Sequence, residues 1–242
     1  MKIAGKTDIG LVRETNQDAF KIVALGQGAG FALVCDGMGG VNGGDRASSI
    51  AKAEIAESIK KDFQDEMQED EIRSMMLRAI DAANQTIYHA AKENPAFSGM
   101  GTTVVLTVLY HARAFVAHVG DSRLYQFKDG RLRQLTKDHS RVQDLVDNGI
   151  ITQEEARIHP EKNMITRAVG IGPDVSVDFL TIDFLSSDKL LLCSDGLFNI
   201  CSDEEISCII QNNPAEKAAE TLVKQANLGG GYDNITVVIV EK

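Results

Sequence analysis

Asp-Gly closes an apolar run at two places in this chain, Leu33-Val-Cys-Asp36-Gly37 and Leu191-Leu-Cys-Ser-Asp195-Gly196, and Val119-Gly-Asp121 is a relative of the pattern. Gly230-Gly-Tyr-Asp233-Asn234 stands immediately before another apolar run. A single Asp-Gly is ordinarily a turn, because both residue types tolerate turn geometry. An ionised carboxylate just past an apolar strand is a different matter. Buried alone it is destabilising by several kcal/mol, so it calls for a cation or for hydrogen-bond donors. Four such carboxylates without histidine or thiolate company form a hard oxygen donor set, suited to Mg²⁺ or Mn²⁺ rather than zinc.

Other chemistries find no support. Gly5-Lys6-Thr7 resembles the end of a phosphate-binding loop, but the glycine required five positions earlier would fall before the chain starts. Gly26-Gln-Gly28-Ala-Gly30 carries Phe31 where a dinucleotide fingerprint needs its last glycine. The sequence contains no H-E-x-x-H, no G-x-S-x-G, and no cysteine followed by arginine at the spacing of a cysteine-nucleophile phosphatase.

The elements that must position these aspartates are legible as periodicities. Ala47, Ile50, Ala51, Ile55, Ile59 and Phe63 recur at helical spacing, as do Ile72, Met76, Ala79, Ala83, Ile87 and Ala90. Further helix is expected near 204–210 and 215–227. Strands are expected at 31–35, 102–110, 113–119, 124–127, 132–135, 175–182, 190–193 and 235–240. Lys128-Asp129-Gly130-Arg131 holds the Asp-Gly pair that favours a tight hairpin turn. Adjacent hairpins mean antiparallel sheet, and helices between hairpin blocks mean sheets covered by helices, an α+β arrangement. The polar stretch 140–166, with short helical pieces, reads as a flap inserted into the strand series. With no linker and no internal repeat, residues 1–242 read as a single catalytic domain.

Composition narrows the partners. The 242 residues carry 25 Lys and Arg against 35 Asp and Glu, a net charge of −10. An acidic chain without a basic run is a poor binder of nucleic acid or of anionic membrane, so neither is expected as a partner. The most apolar long stretch, 102–119, contains His111, Arg113 and His118 and does not read as a membrane span. The first residues lack the apolar core of a signal peptide. Four cysteines without a C-x-x-C pair, two of them in apolar strand-like runs, read as reduced thiols of a cytoplasmic protein.

Eight segments in chain order carry a resemblance: R-E-T-N-Q-D (13–18), V-C-D-G-M-G-G (34–40), G-T-T (101–103), V-G-D-S-R (119–123), D-H-S (138–140), T-R-A-V-G (166–170), S-D-G-L (194–197) and D-N-I-T (233–236). Together they resemble the metal-dependent Ser/Thr protein phosphatases of type 2C in their compact bacterial form, over nearly the whole chain from Lys6. The resemblance implies a central β-sandwich of two antiparallel sheets with helices packed on both outer faces. It implies that Asp36 bridges two metal ions, with the Gly37 carbonyl on one of them, and that Asp195 and Asp233 hold the other. Asp121 would join Asp195 at a third, weaker site. Asp18 would act through metal-bound water and Arg13 would clamp the substrate phosphate. Mn²⁺ or Mg²⁺ as cofactor, phosphoserine and phosphothreonine proteins as substrates, an opposing Ser/Thr kinase and a monomeric state follow from the same resemblance.

Such a set is physically coherent, because paired divalent cations acidify a water and stabilise the spread charge of a phosphoryl transition state. Arginine adds a planar fork for the dianion. His118 and His139 read as structural, Gly101-Thr-Thr and Thr166-Arg-Ala as packing and loop geometry, and Ser122-Arg123 as shaping the turn that presents Asp121. Asn234 is expected to orient Asp233 by a side-chain hydrogen bond. The sequence departs from the family at Gln17, where some relatives carry an acidic residue. It departs again at Met38 and Val41, where relatives carry the histidine suited to protonating the leaving alkoxide. A non-catalytic phosphoprotein-binding module on the same fold and a metal-dependent phosphodiesterase are the competing readings. Aspartate at all four main metal positions argues against the first, and the acidic surface disfavours the second.

Overall fold

The structure, a computed structural model, describes residues 1–26, 28–39 and 43–242. Two antiparallel sheets stack face to face. The first runs β1 (Lys2–Asp8), β11 (Ile235–Glu241), β10 (Lys189–Cys193), β7 (Arg123–Lys128) and β8 (Arg131–Gln134) in spatial order. The second runs β2 (Asp18–Gly26), β3 (Ala29–Met38), β5 (Val104–Tyr110), β6 (Arg113–Val119) and β9 (Asp178–Asp183), with the short β4 (Gly101–Thr102) pairing the end of β3. The sandwich and its antiparallel hairpins agree with the expected α+β class. The turn at Asp129-Gly130 takes positive φ at both residues, 51° and 75°, as a tight hairpin turn of this kind demands.

Alternation along the strands sends side chains into three apolar layers. Ala32, Val34, Val105, Val116, Leu190, Leu192, Val238 and Val240 meet between the sheets. Phe31, Leu33, Cys35, Leu106 and Val108 point the other way, toward α1 (Gly44–Asp62) and α2 (Glu69–Glu93). Small residues on the inner face of α1, Ala47 and Ala51, let its backbone approach the sheet, while Ile55 and Ile59 fill the space further along. On the opposite flank Tyr125, Leu191, Val237 and Ile239 pack on α6 (Asp203–Asn212) and α7 (Ala215–Leu228). Because both faces of the central strands are covered, their sequences are continuous apolar runs rather than alternating ones.

Two strands escaped the sequence reading. β1 is an edge strand with no fully buried residue, and its segment KIAGKTD has no apolar period. β2 is buried only at Asp18 and Ala19 and mixes half-buried and exposed positions beyond them. The expected strand at 175–182 begins later, at Asp178, with Val175 and Val177 packed loosely on the core ahead of it.

Between β8 and β9 lie α3 (Arg141–Asp147) and α4 (Gln153–Ile158), which form the flap. Its neck is closed by backbone hydrogen bonds from Arg141 N–H to the Met164 carbonyl and from Thr166 N–H to the His139 carbonyl, each 2.8 Å. No helix among the described residues is long and apolar enough to cross a membrane.

Candidate active site

The strand ends gather at one end of the sandwich. Asp18 opens β2 and sits directly across from Asp36, which with Gly37 lies at the C-terminal end of β3. Asp121 lies in the link between β6 and β7. Asp195 opens the four-residue helix α5 (Asp195–Phe198) after β10, and Asp233 lies two residues before the start of β11. Arg13 is carried by the β1–β2 loop. A cleft of about 610 Å³ is lined by Arg13, Asp36, Gly37, Asp121, Asp195 and Asp233, and Asp18 is buried behind it.

Close backbone approach explains the glycines. A Cβ at Gly37 would run into the Gly44 carbonyl, and one at Gly196 into the Asn234 carbonyl. Any side chain there would push apart the elements that carry Asp36, Asp195 and Asp233.

The electrostatics are those of an anion cluster. Asp36 and Asp195 keep part of their surface open to the cleft, yet burial, and then repulsion by the neighbouring aspartates, push both carboxyls well above the ordinary range. Burial, with Asp138 nearby, raises Asp121 to about 7. Burial raises Asp18 to about 6, against the opposing hydrogen bond from Ser194. Arg13 is the one cationic side chain among the described residues lining the cleft, and its Nη2 donates to Asp233 Oδ2 at 2.7 Å. That hydrogen bond raises the guanidinium's own proton affinity.

These residues fit a hard divalent cation. The donors are all oxygen, the carboxylates outnumber the local cation, and Asp18 Oδ1 is buried with no hydrogen-bond partner among the described residues. A buried unpaired carboxylate oxygen is costly unless a cation or its water completes the site.

Hydroxyls and amides hold the acids in place, and sequence reasoning missed most of them. Ser194 Oγ donates to Asp18 Oδ2 at 2.6 Å and accepts from Thr236 N–H at 2.9 Å, stitching β2 of one sheet to β11 of the other. Thr103 Oγ1 accepts from Asp36 N–H at 2.9 Å and lies 2.7 Å from Ser122 Oγ, so one hydroxyl pair joins the turns bearing Asp36 and Asp121. Thr102 Oγ1 donates to the Asp36 carbonyl. Gly101-Thr-Thr is thus a clamp on Asp36 as well as a packing element. Its only signal in the sequence was the threonine pair itself.

One expected role is corrected. The group that hydrogen-bonds Asp233 Oδ1 is the backbone N–H of Asn234, at 2.8 Å. The Asn234 side chain instead pins the β1–β2 loop, accepting from Gln17 N–H and donating to the Ile9 and Thr15 carbonyls. It therefore positions Arg13's loop.

His118 and His139 stack at 4.8 Å and, with Asp178, bring ligand-type atoms within 4.8 Å of each other. Their hydrogen bonds give them structural duties. His139 Nδ1 accepts from Gly120 N–H at 3.0 Å, so its proton sits on Nε2, facing Asp178 Oδ2 at 3.1 Å. With both nitrogens so engaged, the His139 ring has no lone pair left for a metal, while His118 is held through Nε2 by the Ser122 carbonyl at 2.9 Å. Arg123 makes a bidentate pair with Asp138 and lies 3.6 Å from the centre of the Phe198 ring, linking the Asp121 turn to α5. Met38 lines the cleft; Val41 lies outside the described residues.

A cluster of oxygen-donor carboxylates at the end of a two-sheet sandwich defines a metal-dependent hydrolase of the phosphatase type, and comparison with known proteins makes the family definite. The sequence model of protein phosphatase 2C matches residues 12–222. A serine/threonine phosphatase, stp, of Listeria monocytogenes is 37% identical over 238 residues, covering 98% of this chain and 94% of the relative. The serine/threonine phosphatase of S. agalactiae superposes with a TM-score of 0.92 at 34% identity, covering 100% of this chain and 99% of that one. The catalytic domain of the serine threonine protein phosphatase PstP, solved with 2 manganese ions, superposes at 0.84 with 35% identity over 98% of this chain and 96% of its own. The chain belongs to the protein phosphatase 2C family. It is a metal-dependent protein serine/threonine phosphatase, a phosphoric monoester hydrolase.

Proposed function

We propose that residues 1–242 act as one catalytic unit, with the 140–166 flap at its edge, that removes phosphate from phosphoserine and phosphothreonine by in-line attack of water. The observation that carries this reading is the convergence of Asp36, Asp121, Asp195 and Asp233 with Arg13 around a single cleft. Asp36 with the Gly37 carbonyl, and Asp195 with Asp233, would hold two Mn²⁺ or Mg²⁺ ions, and Asp121 with Asp195 a weaker third. When bound, these cations supply an acidified water and Lewis-acid stabilisation of the phosphate oxygens.

The chain's own residues do the rest. The Arg13 fork, steadied on Asp233, orients the dianion and offsets charge spread over its oxygens. Asp18 keeps Oδ2 on Ser194 and leaves Oδ1 without a partner among the described residues, available to accept a hydrogen bond from water. A thioether at Met38 cannot donate a proton, so no side chain at that position serves a leaving alkoxide.

The partner set follows from this chemistry. Phosphorylated proteins are the substrates in this reading, with a Ser/Thr kinase as their source and a monomer as the working state. Buried free thiols at Cys35, Cys193 and Cys201 support a cytoplasmic setting. The test is release of phosphate from a phosphothreonine peptide with Mn²⁺, with Mg²⁺ and with excess chelator. Turnover that needs either ion and vanishes in chelator is expected, and full activity in chelator would refute the reading.

A further inference from the structure

Beside the catalytic cleft lies a second one, of about 390 Å³, between the flap and the start of α6. The two share Asp121 and Asp195 as a common wall. The turn after α4 borders both, with Lys162 lining the second cleft and its neighbour Asn163 lining the catalytic one.

The charges in this second cleft do not cancel. Arg123 and Asp138 neutralise each other through their bidentate pair. Asp121 and Asp195 belong to the catalytic centre. What remains is Arg157 and Lys162 against Asp203. Among the described residues neither the Lys162 ammonium nor the Gln153 side-chain amide has a hydrogen-bond or ion-pair partner, and the Arg157 guanidinium is engaged only by the longer-range attraction of Glu204. In a chain of net charge −10, two uncommitted cations flanking a cavity that opens on the reaction centre are the unusual feature.

We propose that this second cleft is a substrate subsite that receives an anionic side chain, a carboxylate or a second phosphate, lying a few residues along the polypeptide from the phosphoresidue. Arg157 and Lys162 are its specificity-determining residues, and Gln153 is a neutral donor beside them. The inference rests on the phosphatase reading above and adds a sequence preference to it. An extended peptide advances roughly 3.3 Å per residue, so a phosphoresidue held at Arg13 brings its near neighbours to the shared wall.

The test is kcat/KM for monophosphorylated peptides carrying Glu or Gln at each of about four positions on either side of the phosphoresidue, a span matched to that reach, with a non-hydrolysable phosphonate analogue of phosphoserine replacing Glu in a further, phosphoserine-like arm. For the wild-type protein in Mn²⁺, Glu should outperform Gln about fivefold to tenfold at one position, as expected for one or two partly exposed ion pairs. A larger ratio in the phosphoserine-like arm would identify a second phosphate as the favoured anion, and a smaller one the carboxylate. The ratio should fall to about one in Arg157→Gln, Lys162→Gln protein. In Arg157→Glu, Lys162→Glu protein a Lys-bearing peptide should become the better substrate. Because each ratio is taken within one protein, a change in overall turnover leaves it intact. Activity with no Glu preference at any position, or a preference that survives both double variants, would overturn the subsite alone. Wild-type protein inert toward every peptide would overturn the proposed function, and the subsite with it.

Discussion

At the residue scale, the site is a set of carboxylates whose mutual repulsion a bound cation would relieve. Neutralising one ligand should remove more from catalysis than from folding, because the cluster is relieved of a charge as it loses a donor. Asp36→Asn, Asp195→Asn and Asp233→Asn are each expected to lose at least about 100-fold in kcat/KM. Metal-free melting temperature should stay level or rise, as read by circular dichroism. Asp121→Asn should leave the main pair of sites intact and remove one weak site from a calorimetric Mn²⁺ titration; unchanged stoichiometry would take Asp121 out of the ligand set. Ser194→Ala differs in kind. It strips the Asp18 carboxylate and the Thr236 N–H of a buried partner at once. A loss of about 1–3 kcal/mol is expected, a fall of roughly 2–10 °C in melting temperature at this chain length.

At the element scale, two connections decide how the site works. The β1–β2 loop carries Arg13, and the Asn234 side chain holds that loop by three hydrogen bonds to residues 217 to 225 positions away in sequence. Asn234→Ala should therefore raise KM for a phosphopeptide more than it lowers kcat, because Arg13, the proposed phosphate clamp, loses its loop's anchor while the aspartates keep theirs. An equal fall in kcat with KM unmoved would assign Asn234 to the metal centre instead. The flap is the other connection. It has a closed neck and exposes Ile150, Ile158 and Met164 at its surface, while Asn163 and Ile165 reach the cleft. Substitutions on its outer surface should change turnover of phosphoproteins more than turnover of a small aryl phosphate. Equal effects on both would place the flap's role in chemistry.

At the scale of the whole molecule, the acid cluster ties stability to pH and to metal. Asp18 and Asp121 hold their protons up to about 6 and about 7 in the folded chain, against about 3.9 when unfolded. Below about pH 4 both states are protonated and the cluster is tolerated. As pH rises from there through 6 and 7, the unfolded chain releases these protons first. The metal-free fold accordingly loses stability across that window, and the loss is complete above the folded values. Bound cations remove the penalty and compete with protons below it. The melting-temperature difference between Mn²⁺-loaded and metal-free protein should thus widen from pH 5 to 7.5. At 100-fold excess over the dissociation constant it should reach about 5–10 °C. A difference that narrows over this range would mean that the aspartates do not bind the ion in their ionised form.

By itself the sequence determined the chemistry and most of the scaffold. The aspartates are legible because a carboxylate against an apolar strand end is costly without a cation. α1, α2, α6 and α7 are legible because a single apolar face repeats at helical spacing. The β7–β8 hairpin is legible because Asp129-Gly130 accepts positive φ. Only the tertiary structure decided which of these groups meet. β1 has no apolar period to betray it, since its place at a sheet edge buries none of its residues fully. Ser194 faces Asp18 across 176 positions of sequence, and Thr103 reaches Ser122 across 19. Asn234 turns its side chain to the Arg13 loop rather than to Asp233. Those partners are fixed by strand register and by how two sheets stack, and a hydroxyl or an amide reads the same in a sequence whichever neighbour the stacking brings to it.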